Sequence, residues 1–371
     1  MFDTIIKNAK IFDGTGTPHF YGDVAVKDGR IAAIGRNLTG GAKVVDAAGL
    51  SLAPGFIDCH THDDHHLNLE PSVYYKLEQG VTTVIAGCCG NTCAPISQDF
   101  KADCIRTFSH LASTDFDHDA RPDFASYLNE MDGVNYGPNL FMQVGHSAMR
   151  AAVSGYADRP LTPAELEKMK EHTRNAMEAG ALGVSFGLIY PPGSYATEEE
   201  LTEICKVVAE YGGTFSVHLR NEDDHLLPAL EEMLRVAKNS GCRGIMSHQK
   251  SEYKWNFGQT KKSLAMLQKA VDEGQDIFID QYPYSACSTG LRSLIPGDIH
   301  ALGTDAIVAL FESDEGRAKI RASMEKYYGV EPGGRSRSLR GRDPGDPEPL
   351  PPGRRGQDAA GHRRRARHHA D

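Results

Sequence analysis

The chain has 371 residues, which suits one large barrel or two modest domains. Its formal net charge is −10, but residues 333–371 carry ten arginines against five acidic residues, so the part before them carries −15. A body this acidic argues against a nucleic-acid partner or an anionic membrane surface. No apolar run of about eighteen residues and no secretory signal is found, so a cytoplasmic location is expected. The eight scattered cysteines are accordingly expected to be reduced thiols.

The first fifty residues contain short apolar segments that predict a small N-terminal β domain, part of a β-sandwich, over residues 1–52. The predicted strands are Thr4–Phe12, Gly22–Lys27, Arg30–Gly35 and Val44–Ala47. Asp-Gly pairs at residues 13–14 and 28–29 stand between apolar segments. Because Asp-Gly favours two-residue hairpin loops, both pairs predict tight turns.

From residue 53 to about residue 332, apolar strands alternate with amphipathic helices, which predicts βα units and a parallel sheet. The predicted strands are Phe56–Cys59, Val81–Gly87, Asn139–Val144, Gly183–Leu188, Thr214–Leu219, Gly244–Ser247 and Ile277–Asp280. The helices have clear start signals, such as the capping box of Thr162 and Glu165 around Pro163. Seven units in series favour an α/β fold of the (β/α)8 TIM-barrel type, incomplete because the eighth strand is missing. Residues of about 290–328 are predicted to form a helical insertion.

Residues 333–371 differ in composition from the rest of the chain. They are mainly Arg, Gly, Pro, Ala, Asp and His, with no lysine, aromatic or β-branched residue. Such a segment cannot bury enough apolar surface to fold, which predicts a disordered tail. A second interpretation, which the composition favours, is out-of-frame translation of a GC-rich gene. Reading the other two frames downstream of codon 333 distinguishes the two interpretations.

The strand ends carry the candidate functional residues, because the active site of such a barrel lies at the carboxyl ends of its strands. The candidates are His60 and His62, Cys88 and Cys89, His146, His218, and His248. A spacing of two residues puts His60 and His62 on one face of a strand, where both can hold the same ion. Imidazole and thiolate ligands together favour zinc. A single histidine such as His146 is more often a hydrogen-bonded structural residue, and Cys88 and Cys89 cannot both point into the site.

Several of these residues lie in motifs that resemble a known family. Pro54–Asp58 followed by His60-Thr61-His62 resembles the amidohydrolase superfamily. Further motifs are similar to those of its N-acyl-D-amino-acid deacylase (D-aminoacylase) branch: Gly80–Val84, Cys89-Gly90, Gly145–Ser147, His218–Glu222, and Asp280 with Tyr282–Ala286. The likeness extends from about residue 2 to about residue 332. It implies the zinc-dependent hydrolysis of N-acyl-D-amino acids to a carboxylate and a free D-amino acid.

The resemblance also implies roles for individual residues. The implied ligands are Cys89, His218 and His248 for a tight zinc, and His60 and His62 for a second, weaker metal. Related hydantoinases and dihydroorotases use a carboxylated lysine at the end of the fourth strand. Ser185–Leu188 contains no lysine, which favours a cysteine-bridged site and Cys89 over Cys88. The residues implied to bind the substrate are Tyr190, Lys250, Tyr282 and Ser288.

The family's catalytic aspartate is expected at the end of an eighth strand, in a Ser-Asp-Gly-type motif that this sequence lacks. The catalytic residue is therefore unknown, and the chain as written is expected to be truncated and to be inactive or poorly folded. Two alternatives stay open, a cyclic amide hydrolase related to hydantoinase and dihydroorotase, and a non-catalytic metal-binding remnant. The expected partner is a small-molecule substrate, with neither nucleic acid nor a membrane.

Overall fold

The computed structural model of the chain describes residues 1–65, 70–109, 118–253, 256–284, 286–287, 289, 295–300 and 302–328. Ser288 and the segment 333–371 lie outside the described residues. The chain divides into two compact units, the first formed by residues 1–252 and 256–293 and the second by residues 253–255 and 294–371. Among the described residues, no helix is both long enough and apolar enough to cross a membrane.

A five-stranded sheet forms the N-terminal part of the first unit. Its strands are β1 (Phe2–Ile11), β2 (Phe20–Lys27), β3 (Arg30–Gly35), β4 (Gly41–Asp46) and β5 (Ser51–Leu52). The central strand β1 pairs with antiparallel β2 and with parallel β4 and β5, and β3 continues the sheet beside β2. The sheet buries a small core of its own, formed by Ala9, Ile11, Val24 and Ala47. The predicted N-terminal β domain is therefore present.

The two predicted hairpin turns of this sheet have different outcomes. The pair Asp28-Gly29 forms a two-residue turn between β2 and β3 with φ values of 51° and 72°, as predicted. The prediction for Asp13-Gly14 is wrong, because eight residues separate β1 from β2. There the Asp13 carboxylate accepts a hydrogen bond from the Thr15 N–H at 3.0 Å. This local side-chain contact stabilises a wider loop in place of a tight hairpin.

Parallel strands in chain order follow the N-terminal sheet and position the candidate site. They are β6 (Phe56–Asp58), β7 (Val81–Ala86), β8 (Asn139–Met142), β9 (Val144–Gly145), β10 (Gly183–Gly187), β11 (Thr214–His218), β12 (Arg243–Met246) and β13 (Ile277–Ile279). One sheet has the order β6-β7-β8, and the other has the order β13-β12-β11-β10-β9. Every predicted strand is present, which confirms the mixed α/β pattern.

The predicted strand Asn139–Val144, which forms β8 and β9, connects these two parallel sheets. It is interrupted at Gln143, whose N–H donates to the carbonyl of Ala86 at 3.0 Å. The carbonyl of the preceding residue, Met142, accepts from the Leu182 N–H at 2.8 Å on the other side. The strand thus pairs with β7 at its start and with β10 at its end. Among the described residues no backbone pairing joins β13 to β6. The (β/α)8 barrel with a missing eighth strand stays a prediction.

Helices cover the parallel strands of the first unit. They are α1 (Tyr74–Leu77), α2 (Lys101–Phe108), α3 (Phe124–Asp132), α4 (His146–Ser154), α5 (Pro163–Glu178), α6 (Glu198–Glu210), α7 (Leu226–Ser240) and α8 (Gln259–Asp272). The capping box predicted for α5 is confirmed: the Thr162 hydroxyl accepts from the Glu165 N–H at 3.3 Å, and the Glu165 carboxylate accepts from the Thr162 N–H at 2.7 Å. The main core lies between these helices and the strands, around fully buried Phe186 and Phe215.

The described part of the second unit is helical. Its helices are α9 (Gly297–His300), α10 (Thr304–Glu312) and α11 (Asp314–Tyr328). Ile299, Ile307 and Ile320 form a small buried cluster among them. The segment of about 290–328 is thus helical where it is described.

Candidate metal centre

Cys89 lies at the centre of the candidate site, on the turn that follows β7. Three residues of this turn have left-handed backbone conformations: Gly87 with φ 75°, Cys89 with φ 53° and Gly90 with φ 78°. A positive φ is uncommon for a residue with a side chain, so surrounding contacts must hold Cys89 in place. Cys88 is also buried, and its thiol donates to the Ile85 carbonyl at 3.7 Å. Only one of the two adjacent thiols therefore faces the candidate ligands.

Two groups of metal-binding side chains share this cysteine. One consists of Cys89, His218 and His248, and the other of Cys89, His60 and His62. Within each group the donor atoms all lie within 4.8 Å of one another. The Sγ atom of Cys89 is 3.3 Å from His60 Nε2 and 3.7 Å from His248 Nε2. The structure thus brings together all five residues that the sequence indicated as metal ligands.

Buried carboxylates hold the outer nitrogen of two of these histidines. Glu222 Oε1 lies 3.0 Å from His248 Nδ1, and Asp280 Oδ2 lies 3.1 Å from His60 Nδ1. A carboxylate beside Nδ1 favours the proton on that atom and leaves Nε2 free to bind a metal. Both Nε2 atoms face Cys89. Ring orientation and donor type therefore both fit a zinc ion at this cysteine.

The charges around the site distinguish the two cysteines. Burial opposes ionisation of Cys89, but the nearby imidazoles of His60, His218 and His248 lower the pKa of its thiol well below the ordinary value. Burial raises the pKa of the Cys88 thiol to about 12. Because metals bind the thiolate, Cys89 has the electrostatic surroundings of a ligand and Cys88 does not.

Three of the four predicted substrate-binding residues lie close to the candidate histidine ligands. The ring centroid of Tyr190 is 5.0 Å from that of His218, and the centroid of Tyr282 is 6.4 Å from that of His248. Lys250 Nζ lies 6.0 Å from the centroid of the Tyr282 ring. The structure therefore places Tyr190, Lys250 and Tyr282 near the histidines, whereas Ser288 lies outside the described residues.

Lys250 already has a charged partner in the protein. Its Nζ donates to Glu222 Oε2 at 2.5 Å, and the other oxygen of this carboxylate contacts His248. Burial opposes ionisation of Glu222, but His218, His248 and Lys250 lower its pKa to about 2. Lys250 therefore forms an ion pair with Glu222, a contact that the sequence did not predict.

A lysine on α1 anchors the loop that carries His60 and His62. Lys76 Nζ forms an ion pair with Asp58, lies 3.3 Å from Asp63 Oδ2, and donates to Thr61 Oγ1 at 3.4 Å. These three partners stand before, between and after the two histidines. The cation thus fixes the backbone on both sides of the pair.

His146 does not belong to the candidate site. It is fully buried, and its Nε2 lies 2.9 Å from Glu200 Oε1, which also accepts from Arg150 Nε at 3.1 Å. The three side chains form an ionic cluster between α4 and α6. The structural interpretation of this histidine is therefore confirmed.

Four residues that support the candidate ligands were not predicted from the sequence to have this role: Lys76, Ser185, Glu222 and Asp280. Asp280 and Glu222 stand in motifs that were singled out, directly after β13 and four residues after His218. An acidic residue at a strand end beside histidines is a usable signal for a partner that orients an imidazole. Lys76 and Ser185 have no comparable signal, because their partners are distant or irregularly spaced in the sequence.

Comparison with known proteins agrees with this geometry. The model of the amidohydrolase family matches residues 43–313, which is more than half of the chain. The chain belongs to the amidohydrolase family. This amidohydrolase is 37% identical over 292 residues to a D-aminoacylase of Alcaligenes xylosoxydans xylosoxydans, covering 78% of this chain and 59% of the relative. It is 38% identical over 292 residues to an N-acyl-D-aspartate deacylase of the same organism, covering 78% of this chain and 57% of the relative.

A solved structure is also similar to this chain. It is the N-acyl-D-glutamate deacylase from Bordetella bronchiseptica, complexed with zinc and a phosphonate inhibitor that mimics the tetrahedral intermediate of its reaction. The TM-score is 0.70 and the sequence identity 35%, covering 76% of this chain and 59% of that chain. The chain thus spans about three-fifths of the length of these relatives. The resemblance to the D-aminoacylase branch is confirmed.

Proposed function

We propose that this amidohydrolase carries the metal centre of a zinc-dependent hydrolase that cleaves the amide bond of N-acyl-D-amino acids. The products are a carboxylate and a free D-amino acid. The observation that supports the proposal most directly is the orientation of His60 and His248, each held at Nδ1 by a carboxylate with Nε2 facing Cys89. The relatives named for this substrate class, at 37% and 38% identity, support the choice of substrate.

The metal would be held by the residues that surround Cys89. Cys89, His218 and His248 would hold a tight zinc, and His60 and His62 a second, weaker metal. Thiolate and imidazole are ligands that zinc favours, and the donor atoms are close enough to share one ion. Bound zinc supplies a Lewis acid that polarises the amide carbonyl of the substrate.

The substrate carboxylate would bind at Lys250. Because Glu222 also contacts the Lys250 ammonium, it holds the cation at the edge of the metal site and limits its movement. Tyr190 and Tyr282 would flank the substrate from two sides, and Ser288 is included on the resemblance alone. The residue that transfers the proton is not assigned. The expectation that the chain as written is inactive or poorly folded stays a prediction.

The experiment is an assay for free amine with the purified chain, zinc and N-acetyl-D-amino acids. The matched controls are the L-enantiomers, the same reaction with a chelator, and a hydantoin. Zinc-dependent release from the D-compounds alone supports the proposal. Opening of the hydantoin without release from the D-compounds would identify a cyclic amide hydrolase. Zinc binding without any turnover would identify a metal-binding remnant.

A further inference from the structure

We infer that Ser185, on β10, is a positioning residue that fixes the turn carrying Cys89. The inference rests on the proposed metal site, since it concerns how that site holds its cysteine. The relevant segment is the Cys89 turn, defined as residues Gly87–Gly90. Ser185 is about a hundred residues away in the sequence and is fully buried beside this turn.

The hydroxyl of Ser185 joins the two ends of the Cys89 turn. It accepts a hydrogen bond from the Gly90 N–H at 2.9 Å and donates one to the Gly87 carbonyl at 2.5 Å. A single oxygen thus satisfies a backbone donor and a backbone acceptor that lie on either side of the two cysteines. The side chain of Asn91 also donates to the Cys89 carbonyl, at 3.0 Å, but it contacts only the middle of the turn.

The surroundings leave the Cys89 turn little space in which to change shape. A Cβ atom added to Gly90 would lie 2.7 Å from the Gly187 nitrogen and 2.8 Å from Ser147 Oγ. A Cβ atom added to Gly145 would lie 2.5 Å from the Gly90 carbonyl oxygen. Gly145, Ser147 and Gly187 therefore pack closely against the Gly90 end of the turn. The Ser185 hydroxyl connects this end to the Gly87 carbonyl at the other end.

Loss of the Ser185 hydroxyl would act on the cysteine through the backbone. It would leave a buried N–H and a buried carbonyl without this partner, and such groups are costly to bury unpaired. Cys89 has a left-handed backbone conformation that persists only where its surroundings enforce it. Relaxation of the turn would move the sulfur relative to His60 and His248, its neighbours at 3.3 and 3.7 Å. We therefore expect a loss of metal affinity of about 10- to 100-fold, as for other residues that position ligands.

The chain offers a matched control at Ser216 on β11. Ser216 is the register partner of Ser185 in the adjacent strand, and it is also buried. Its hydroxyl donates to Gln143 Oε1 at 2.5 Å and does not bind the Cys89 turn. The variant Ser216→Ala therefore removes a buried serine hydroxyl of the same sheet without removing a contact to the turn.

The experiment titrates the full chain with cobalt(II), whose absorption changes when a thiolate binds it. The wild type is expected to show a thiolate-to-cobalt band that is absent in Cys89→Ala. Ser185→Ala is expected to bind cobalt about 10- to 100-fold more weakly with an altered band, and Ser216→Ala to stay within about twofold of the wild type. Equal affinities and bands in Ser185→Ala and Ser216→Ala would overturn the inference. A wild type without a Cys89-dependent band would instead refute the proposed metal site itself.

Circular dichroism establishes that each variant is folded before titration. If Ser185→Ala does not fold, Ser185→Thr provides the comparison, because it keeps the hydroxyl oxygen. Folded Ser185→Thr with a cobalt affinity near that of the wild type supports the role of the hydroxyl. If folded Ser185→Thr keeps the hydrogen bond from Gly90, shown by slow exchange of the Gly90 amide proton, and still binds cobalt weakly, the inference is overturned.

Discussion

Glu222 contacts several candidate functional residues at once. One oxygen lies 3.0 Å from His248 Nδ1, and the other lies 3.3 Å from His218 Nε2 and 2.5 Å from Lys250 Nζ. Burial raises the pKa of Glu222, but the nearby His218, His248 and Lys250 lower it by more, to about 2. The carboxylate is therefore ionised at neutral pH. A single buried carboxylate thus orients a proposed metal ligand and holds the cation proposed for substrate binding.

The substitution Glu222→Gln tests this role at the scale of one residue. Glutamine keeps the size of the side chain but removes its charge, so we expect zinc affinity to fall by about 10- to 100-fold. The measurement is a zinc titration against a competing chelator. Glu232→Gln is the matched control, since Glu232 pairs with Arg220 at 2.9 Å and, in the described part of the chain, contacts none of the candidate ligands. Equal zinc affinities in the two variants would contradict the role of Glu222.

Lys76 is a second residue whose role can be tested by substitution. It binds Asp58 and Asp63, which lie on either side of His60 and His62 in the sequence. In Lys76→Met the loop loses its cation, and we expect the second, weaker metal to bind about tenfold less tightly while the first is unchanged. Calorimetric titration with two equivalents of zinc separates the two events. Lys101→Met, which removes an exposed ion pair with Asp119, should leave both unchanged. A weakened first site with an intact second site would argue against this assignment.

Among the secondary-structure elements, local sequence signals predict the strands and the start of α5. The strands and the start of α5 follow from apolar runs and from the capping box at Thr162, whose contacts lie within a few residues. The turn at Asp13 was mispredicted because the side-chain contact to Thr15 competes with a hairpin. The support of Cys89 by Ser185 could not be predicted, since a hydrogen bond between distant segments depends on how the strands are arranged.

The start of α5 also makes a prediction about acid stability. A hydrogen bond from Arg159 is the main cause that lowers the pKa of Glu165 from 4.5 to about 2. The ionised carboxylate therefore stabilises the folded state fully above about pH 4.5, and this contribution is lost as the pH falls towards 2. Because both side chains contact solvent, we expect about 1 kcal/mol.

Denaturant unfolding of the wild type and Glu165→Gln between pH 7 and pH 2 measures this contribution. The wild type should be the more stable protein near neutral pH, and the two curves should converge at low pH. A difference that stays constant over the whole pH range would show that the charge of Glu165 is not responsible.

At the scale of the whole molecule, the parallel strands at the two ends of the series expose apolar side chains. Phe56 and Ile57 on β6 are 61% and 63% exposed, and Phe278 on β13 is 55% exposed. The candidate ligand His60 and its carboxylate partner Asp280 follow these same two strands, and a side-chain contact of 3.1 Å joins them. A metal held by His60 would therefore fix the imidazole that makes this contact between the ends of the first and last strands.

Zinc is accordingly expected to stabilise the folded chain. A ligand present at a thousandfold excess over its dissociation constant contributes about 4 kcal/mol, so the midpoint of thermal unfolding should rise on addition of zinc. Differential scanning calorimetry with and without zinc measures the change. The rise should be greatly reduced in Cys89→Ala, and a rise of equal size in that variant would assign the stabilisation to another site.

Cys89 is proposed to bind a metal in this protein. X-ray absorption spectroscopy at the zinc edge, on the chain loaded with one equivalent of zinc, reports the metal's ligands directly. We expect one sulfur ligand at about 2.3 Å together with nitrogen ligands at about 2.0 Å, and loss of the sulfur in Cys89→Ala. A zinc shell without sulfur in the wild type, or a sulfur that persists in Cys89→Ala, would show that Cys89 is not the metal ligand.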